Sequence, residues 1–159
     1  MLFRSHAVGL HGAAEKAAFA GLPAVPLEIS AELSRLALMK LWPAAVEGRF
    51  AEFSDAVLRY GLLAGKPFEP ASSCLPYAER TARLIESLQA WGVRGTAQSS
   101  WGPTVMAVCE SPAAAEGLVA RVAASTWAEH YDTLVACFAG EGAVVRETSL
   151  AQARATGRP

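Results

Sequence analysis

The sequence predicts an α+β fold, a small antiparallel sheet covered on one face by helices. Three observations predict it. Up to Trp91 the apolar residues recur at helical spacing, between breaks of Gly, Pro and Ser. After Gly92 the pattern switches to short, uncharged runs that include β-branched residues. At 159 residues, with 52% apolar and 18% charged side chains, the chain is long and apolar enough to bury one core. No repeat or linker divides it, so residues 6–148 read as one domain and residues 149–159 as a frayed tail.

The first five residues stand apart. "MLFRS" is what a common sequencing adapter spells in translation, and "HAVGLHG" continues without a start-like context. Residues 1–5 are therefore expected to be non-native, with the gene truncated upstream, and the codons for Leu2 to Ser5 test this. "GAAEKAAFA", Gly12 to Ala20, is made of helix formers and stops at Gly21 and Pro23. "LPAVPLE" follows as an extended connector. Ser30 is the expected N-cap of a helix from Ala31, with Leu33, Leu36, Ala37 and Leu41 on one side and Pro43 to kink or end it. After Gly48, Phe50, Phe53, Val57, Tyr60 and Ala64 mark the inner side of an amphipathic helix. "GKPFEPASSCLP" reads as a loop, and Pro76 as the first position of the next helix, with Ile85, Leu88 and Trp91 inward.

Two strands are expected next, "VRGTA" and "TVMAVC". Ser111 and Pro112 then supply the cap and first turn of a helix through Leu118, Val119 and Val122. A further helix is expected from Trp127 to Phe138, with Tyr131, Leu134, Val135 and Phe138 at helical spacing. "AVVRET", after Gly142, reads as a last strand.

Composition excludes several function classes. Net charge is −1, from 14 basic and 15 acidic residues with neither sign clustered, which argues against nucleic acid as a partner. No apolar stretch approaches the roughly 20 residues that cross a bilayer, and the richest candidate is broken by Arg35, Lys40 and Pro43, so no membrane partner is expected. The start lacks a signal-peptide pattern. Cys74, Cys109 and Cys137 are widely spaced, without the pairs that chelate zinc. They read as reduced thiols of a cytoplasmic protein, Cys109 and Cys137 in the core.

"GTAQSSWGPTVMAVC" is the segment with chemical content. Gly95 and Gly102 let a backbone approach an anion, and the hydroxyls of Ser99, Ser100 and Thr104 can donate to phosphate oxygens. Trp101 offers a flat face for a planar ring. The plainer alternative is a β-hairpin whose tryptophan caps the core. Glu15, near the start of the first helix, is a candidate base or metal-holding carboxylate, or simply a favourable charge on the helix dipole. His11 is a candidate phosphate donor or an ordinary turn residue, and His130 reads as part of a solvated helix face. No Ser/His/Asp or Cys/His trio assembles, and no metal ligands are assigned.

The segment "RGTAQSSWGPTVMAV" resembles the signature of the β-ribofuranosylaminobenzene 5′-phosphate synthase family. That family has the fold of the galactokinase, homoserine kinase, mevalonate kinase and phosphomevalonate kinase superfamily. "GLHGAAEKAAF", "SRLALMKLWPAAVEG" and "FAEFSDAVLRYGLLAG" follow the family's order, and together the matches cover nearly the whole chain. The string at residues 98–104 is the specific one, since unrelated small kinases carry a run of glycines there. Two positions depart: Ala97 where the family usually has Gly, and His11 where it usually has Ser.

The resemblance implies the C-terminal half of a two-domain transferase of methanopterin biosynthesis. Its substrates would be phosphoribosyl pyrophosphate and 4-aminobenzoate, joined with loss of pyrophosphate and carbon dioxide. Magnesium is expected to arrive with the phosphorylated substrate, with no tightly bound cofactor. Ser99, Ser100 and adjoining amides would hold phosphate, Trp101 would line the arene pocket, and Gln98 would bond a ribose hydroxyl or the aminobenzoate. The missing N-terminal half is the expected partner, without which this chain is expected to be inactive. A homodimer is compatible with this reading. Two alternatives remain: an ATP-dependent small-molecule kinase of the same superfamily, or a non-catalytic interaction module docking through Trp42, Phe50 and Phe53.

Overall fold

The structure is a computed structural model, which describes residues 1–99, 102–138 and 141–142. Among the described residues, its sheet has four antiparallel strands in the order β2-β3-β1-β4: β1 is Leu2–Ser5, β2 Thr96–Gln98, β3 Val105–Ala107 and β4 Tyr131–Leu134. Phe3 stands opposite Val105 on one side and Thr133 on the other. The helices are α1 (Gly12–Ala20), α2 (Leu27–Leu36), α3 (Trp42–Val46), α4 (Phe50–Gly65), α5 (Glu69–Ser72), α6 (Ala78–Ala90) and α7 (Pro112–Ala123). The fold is α+β, with helices α6 and α7 closing the core on the sheet.

That core is built from Phe3, Val105, Ala107 and Tyr131 of the sheet, Leu84 and Leu88 of α6, and Leu118 and Val122 of α7. Leu84 and Leu88 lie one turn apart on the side of α6 that has no solvent exposure. Ser111 caps α7 as its sequence position predicts: its hydroxyl accepts a hydrogen bond from the Ala114 amide at 3.2 Å.

Residues 1–5, which the sequence sets apart, form the strand between β3 and β4. Phe3 is fully buried, and the Met1 ammonium donates to the Ala107 carbonyl at 2.8 Å. The expected helix from Trp127 to Phe138 is corrected. A 3-10 turn, Thr126–Glu129, leads into β4, which pairs with β1 from Leu2–Leu134 to Ser5–Tyr131. Tyr131, Thr133 and Val135 also fit a strand's alternation, and pairing with β1 satisfies the backbone there.

The start of α2 is also corrected. The helix begins at Leu27, directly after Pro26 (φ −55°), so Ser30 lies inside it and is no cap. Pro43 does not end the helical path: Ala37–Leu41 widens into a π turn just before it, and α3 continues to Val46. "GKPFEPASSCLP" contains a 3-10 turn (Lys66–Phe68) and α5 where an irregular loop was expected. Phe68 meets Phe19 of α1 edge-on, with ring centroids 6.0 Å apart. The expected strand "AVVRET" and the tail lie outside the described residues.

Helix α4 packs on β2 through its small residues. A Cβ at Gly61 would stand 2.8 Å from the Ala97 Cβ, and one at Gly95 would stand 2.6 Å from Ser54 Oγ. The inner stripe of α4 therefore runs through Ser54, Val57 and Gly61, while Phe50, Phe53 and Tyr60 are only half-buried. Close packing of backbones, rather than the large apolar residues, decides how this helix sits.

The cysteines divide differently from expectation. Cys137 is exposed, a correction that follows from residues 135–138 leaving the sheet instead of closing a helix. Cys109 is half-buried, and burial pushes its thiol above the ordinary range, with the N-terminal ammonium pulling the other way. Its thiolate fraction at neutral pH is accordingly reduced. With limiting iodoacetamide, Cys109 should be alkylated more slowly than the exposed Cys74 and Cys137, as read by peptide mass spectrometry. Equal labelling of all three would contradict this packing.

Among the described residues, no helix is long and apolar enough to cross a membrane.

Candidate functional site

The bend between β2 and β3 is held from within. The Ser99 amide donates to the Thr104 carbonyl at 2.9 Å, and the Gly102 amide donates to the Ser99 carbonyl at 2.7 Å. Gly102 has φ +75°, a conformation that side chains disfavour, and the Gly102–Pro103 peptide is cis. Both amides are thus committed inside the bend and are not free to cradle an anion. The exposed Ser99 hydroxyl, the Gln98 amide side chain and the Thr104 hydroxyl remain as donors among the described residues. Ser100 and Trp101 lie outside the described residues.

Two stretches distant in sequence meet at this bend. A Cβ at Gly9 would stand 2.8 Å from Pro103 Cδ and 3.0 Å from the Gly102 carbonyl oxygen, so only glycine fits there unless the bend moves. On Gly102 itself, a Cβ would stand 2.6 Å from Gln98 Nε2 and 3.2 Å from Tyr77 Cε2. Gly9, read separately in the sequence from Gly102 and Pro103, thus packs against both.

Tyr77 is the residue that sequence reasoning missed. It sits just before α6 and is 2% exposed. Pro76, expected as the first helical position, is corrected: α6 begins at Ala78 with Tyr77 as its N-cap residue. Burial pushes its phenol above the ordinary tyrosine range, and the backbone of Leu10 pulls the other way. That contact does not close a hydrogen bond of good geometry, and the hydroxyl has no partner.

The other candidates are placed as follows. Gly95 is buried with Ser54 and Val108 against its open side, so the close approach it permits is between β2 and α4 rather than to a ligand. Ala97 likewise meets Gly61, so its Cβ points at α4 and not along the bend. His11 is exposed and extended (φ −153°) just ahead of α1, without a side-chain capping bond, and Glu15 lies half-buried in the first turn. Both follow the Gly9–Leu10 contact in the chain. Thr104 lines a separate hollow of about 400 Å³ with Leu2, Arg4, Asp132, Thr133 and Leu134.

That hollow holds a charge cluster invisible in the sequence. Asp132 accepts from Arg4 at 2.7 Å and meets the His6 ring at 3.2 Å, and these two hydrogen bonds hold its carboxyl below the ordinary range. A lowered folded value means the stabilisation is complete above the unfolded carboxyl's pKa of about 4. It is lost as the pH falls through the lower folded value. Asp132→Asn should therefore flatten the acid limb of the urea midpoint measured from pH 5 to pH 2. An unchanged limb would show that the cluster contributes nothing. No group of three or more His, Cys, Asp or Glu among the described residues could hold a metal ion.

No curated protein and no solved structure matches the chain. A family model does match, that described as "GHMP kinases C terminal", over residues 41–129, more than half of the chain. The matched span runs from the π turn through α4, α6, the bend and α7 to the turn before β4, and so includes Tyr77 and residues 98–104. On that match, the chain belongs to the GHMP kinase C-terminal family.

Proposed function

We propose that this chain is the C-terminal part of a phosphoribosyl transferase resembling β-ribofuranosylaminobenzene 5′-phosphate synthase. The observation that supports the reading is the packing of Gly9 against Gly102 and Pro103, since each belongs to one of the strings that bear the resemblance. In the reaction, the bond from the ribose ring carbon to pyrophosphate breaks and pyrophosphate leaves with the electron pair. The arene carbon of 4-aminobenzoate bonds to that ring carbon, and its bond to the carboxylate breaks, releasing carbon dioxide.

This chain's part is binding and orientation. The Ser99 hydroxyl donates to a phosphate oxygen, the Gln98 amide to a ribose hydroxyl, and Trp101 flanks the arene. Neutral donors held in place stabilise the charge that builds on the leaving pyrophosphate without having to reorganise. Magnesium would enter on the diphosphate. Glu15 and His11, next along the chain from Gly9–Leu10, are the candidates for proton handling.

The test joins this chain to its N-terminal half and supplies phosphoribosyl pyrophosphate and 4-aminobenzoate. Pyrophosphate and carbon dioxide should appear in equal amounts. Ser99→Ala should raise KM for phosphoribosyl pyrophosphate by about 10- to 100-fold, the worth of a hydrogen bond to a charged oxygen. Trp101→Ala should raise KM for 4-aminobenzoate.

The family match favours a second reading, an ATP-dependent small-molecule kinase. ADP release without carbon dioxide would select it and reject the transferase.

A further inference from the structure

Among the described residues the bend comprises Ser99, Gly102, Pro103 and Thr104, and the two amide bonds seen within it fix its turn but not its position relative to residues 9–10. Position has to come from packing. Gly102 presents a bare Cα to the Tyr77 ring, and Gly9 presents a bare Cα to Pro103. A Cβ on either glycine would fall within 3.2 Å of its neighbours, so the three pieces interlock without slack. Tyr77 is buried at the root of α6, whose Leu84 and Leu88 are anchored in the core, so the ring moves only if the helix does.

We propose that Tyr77 is a positioning residue: its ring, wedged against Gly102, sets Gly102 and Pro103 in register with Gly9. Gln98 and Ser99 are thereby held where an anionic sugar would bind. The assignment of an anionic ligand rests on the transferase reading above, while the wedge rests on the packing alone. It is the ring, through Cε2, that faces Gly102. The wedge acts through Gln98 and Ser99 and touches no reacting atom.

The experiment uses the complete two-domain protein and inorganic pyrophosphate as the probe, with affinity measured by titration calorimetry. That readout does not require turnover. Tyr77→Phe keeps the ring and should bind within about twofold of the parent. Tyr77→Leu removes the flat wedge and should lose tenfold or more in affinity. Where turnover is measurable, KM for the phosphorylated substrate should rise in the same proportion, with kcat changed less than threefold. A merely structural tyrosine would lower the melting temperature and leave the affinity of the folded protein unchanged.

Gly9→Ala presses on the same junction from the other side without touching Tyr77, and should reproduce the loss. It keeps the test decisive if Tyr77→Leu does not fold. Three outcomes overturn the proposal: folded Leu and Gly9→Ala variants that bind like the parent, a Phe variant as weak as the Leu variant, or a parent protein that does not bind pyrophosphate. A parent that binds pyrophosphate but transfers no ribosyl group sinks the transferase reading alone.

Discussion

Phe3→Ala lowers the free energy of unfolding by about 3–5 kcal/mol. The side chain has no solvent exposure and sits in β1 between β3 and β4, against Leu84, Leu88 and Val122 of the core cluster. Removing it leaves a cavity that the sheet cannot close, because Val105 and Thr133 on either side are fixed by backbone pairing. For a domain of ordinary stability, about 5–15 kcal/mol in total, this is a large fraction. The measurement is urea unfolding of the variant beside the parent, with the slope unchanged and the midpoint lowered. A loss below about 1 kcal/mol, the range of an uncritical surface change, would mean that β1 does not dock between its neighbours.

The second large effect is a coupling. Gly61→Ala adds a methyl 2.8 Å from the Ala97 Cβ, so α4 and β2 must separate. Overpacking of this kind costs about 1–3 kcal/mol, against which alanine returns roughly 1 kcal/mol of helix propensity over glycine. Ala97→Gly alone also destabilises, by about 0.5–1 kcal/mol, because glycine weakens a strand. The double variant moves the methyl from the strand to the helix and keeps the packed volume. It should be at least as stable as the parent, giving a favourable coupling of about 1–3 kcal/mol between two positions in contact. Simple additivity of the two single changes would show that α4 does not lie on β2 at this point. With glycine at 61, the helix leaves room for the Ala97 methyl.

The sequence determined the class of the fold and most of its helices, because those signals are local. Proline and serine at 111–112 fix the start of α7 through one hydroxyl and a ring, and Gly21 follows the last residue of α1. The bend at 95–104 was legible as a place of interest from residue types alone, glycines and hydroxyls beside an indole.

The sequence could not say that β1 fills the centre of the sheet, nor that residues 131–134 extend instead of coiling. Those outcomes depend on a hydrogen-bonding partner more than a hundred residues away, and a window of local pattern contains no such partner. Likewise the roles of the glycines were decided by what stands opposite them. Gly95 and Gly61 admit a helix against a strand, while Gly9 and Gly102 admit one bend against another segment and a tyrosine ring. A missing Cβ is visible in the sequence, but the atom that takes its space is chosen only by the tertiary packing.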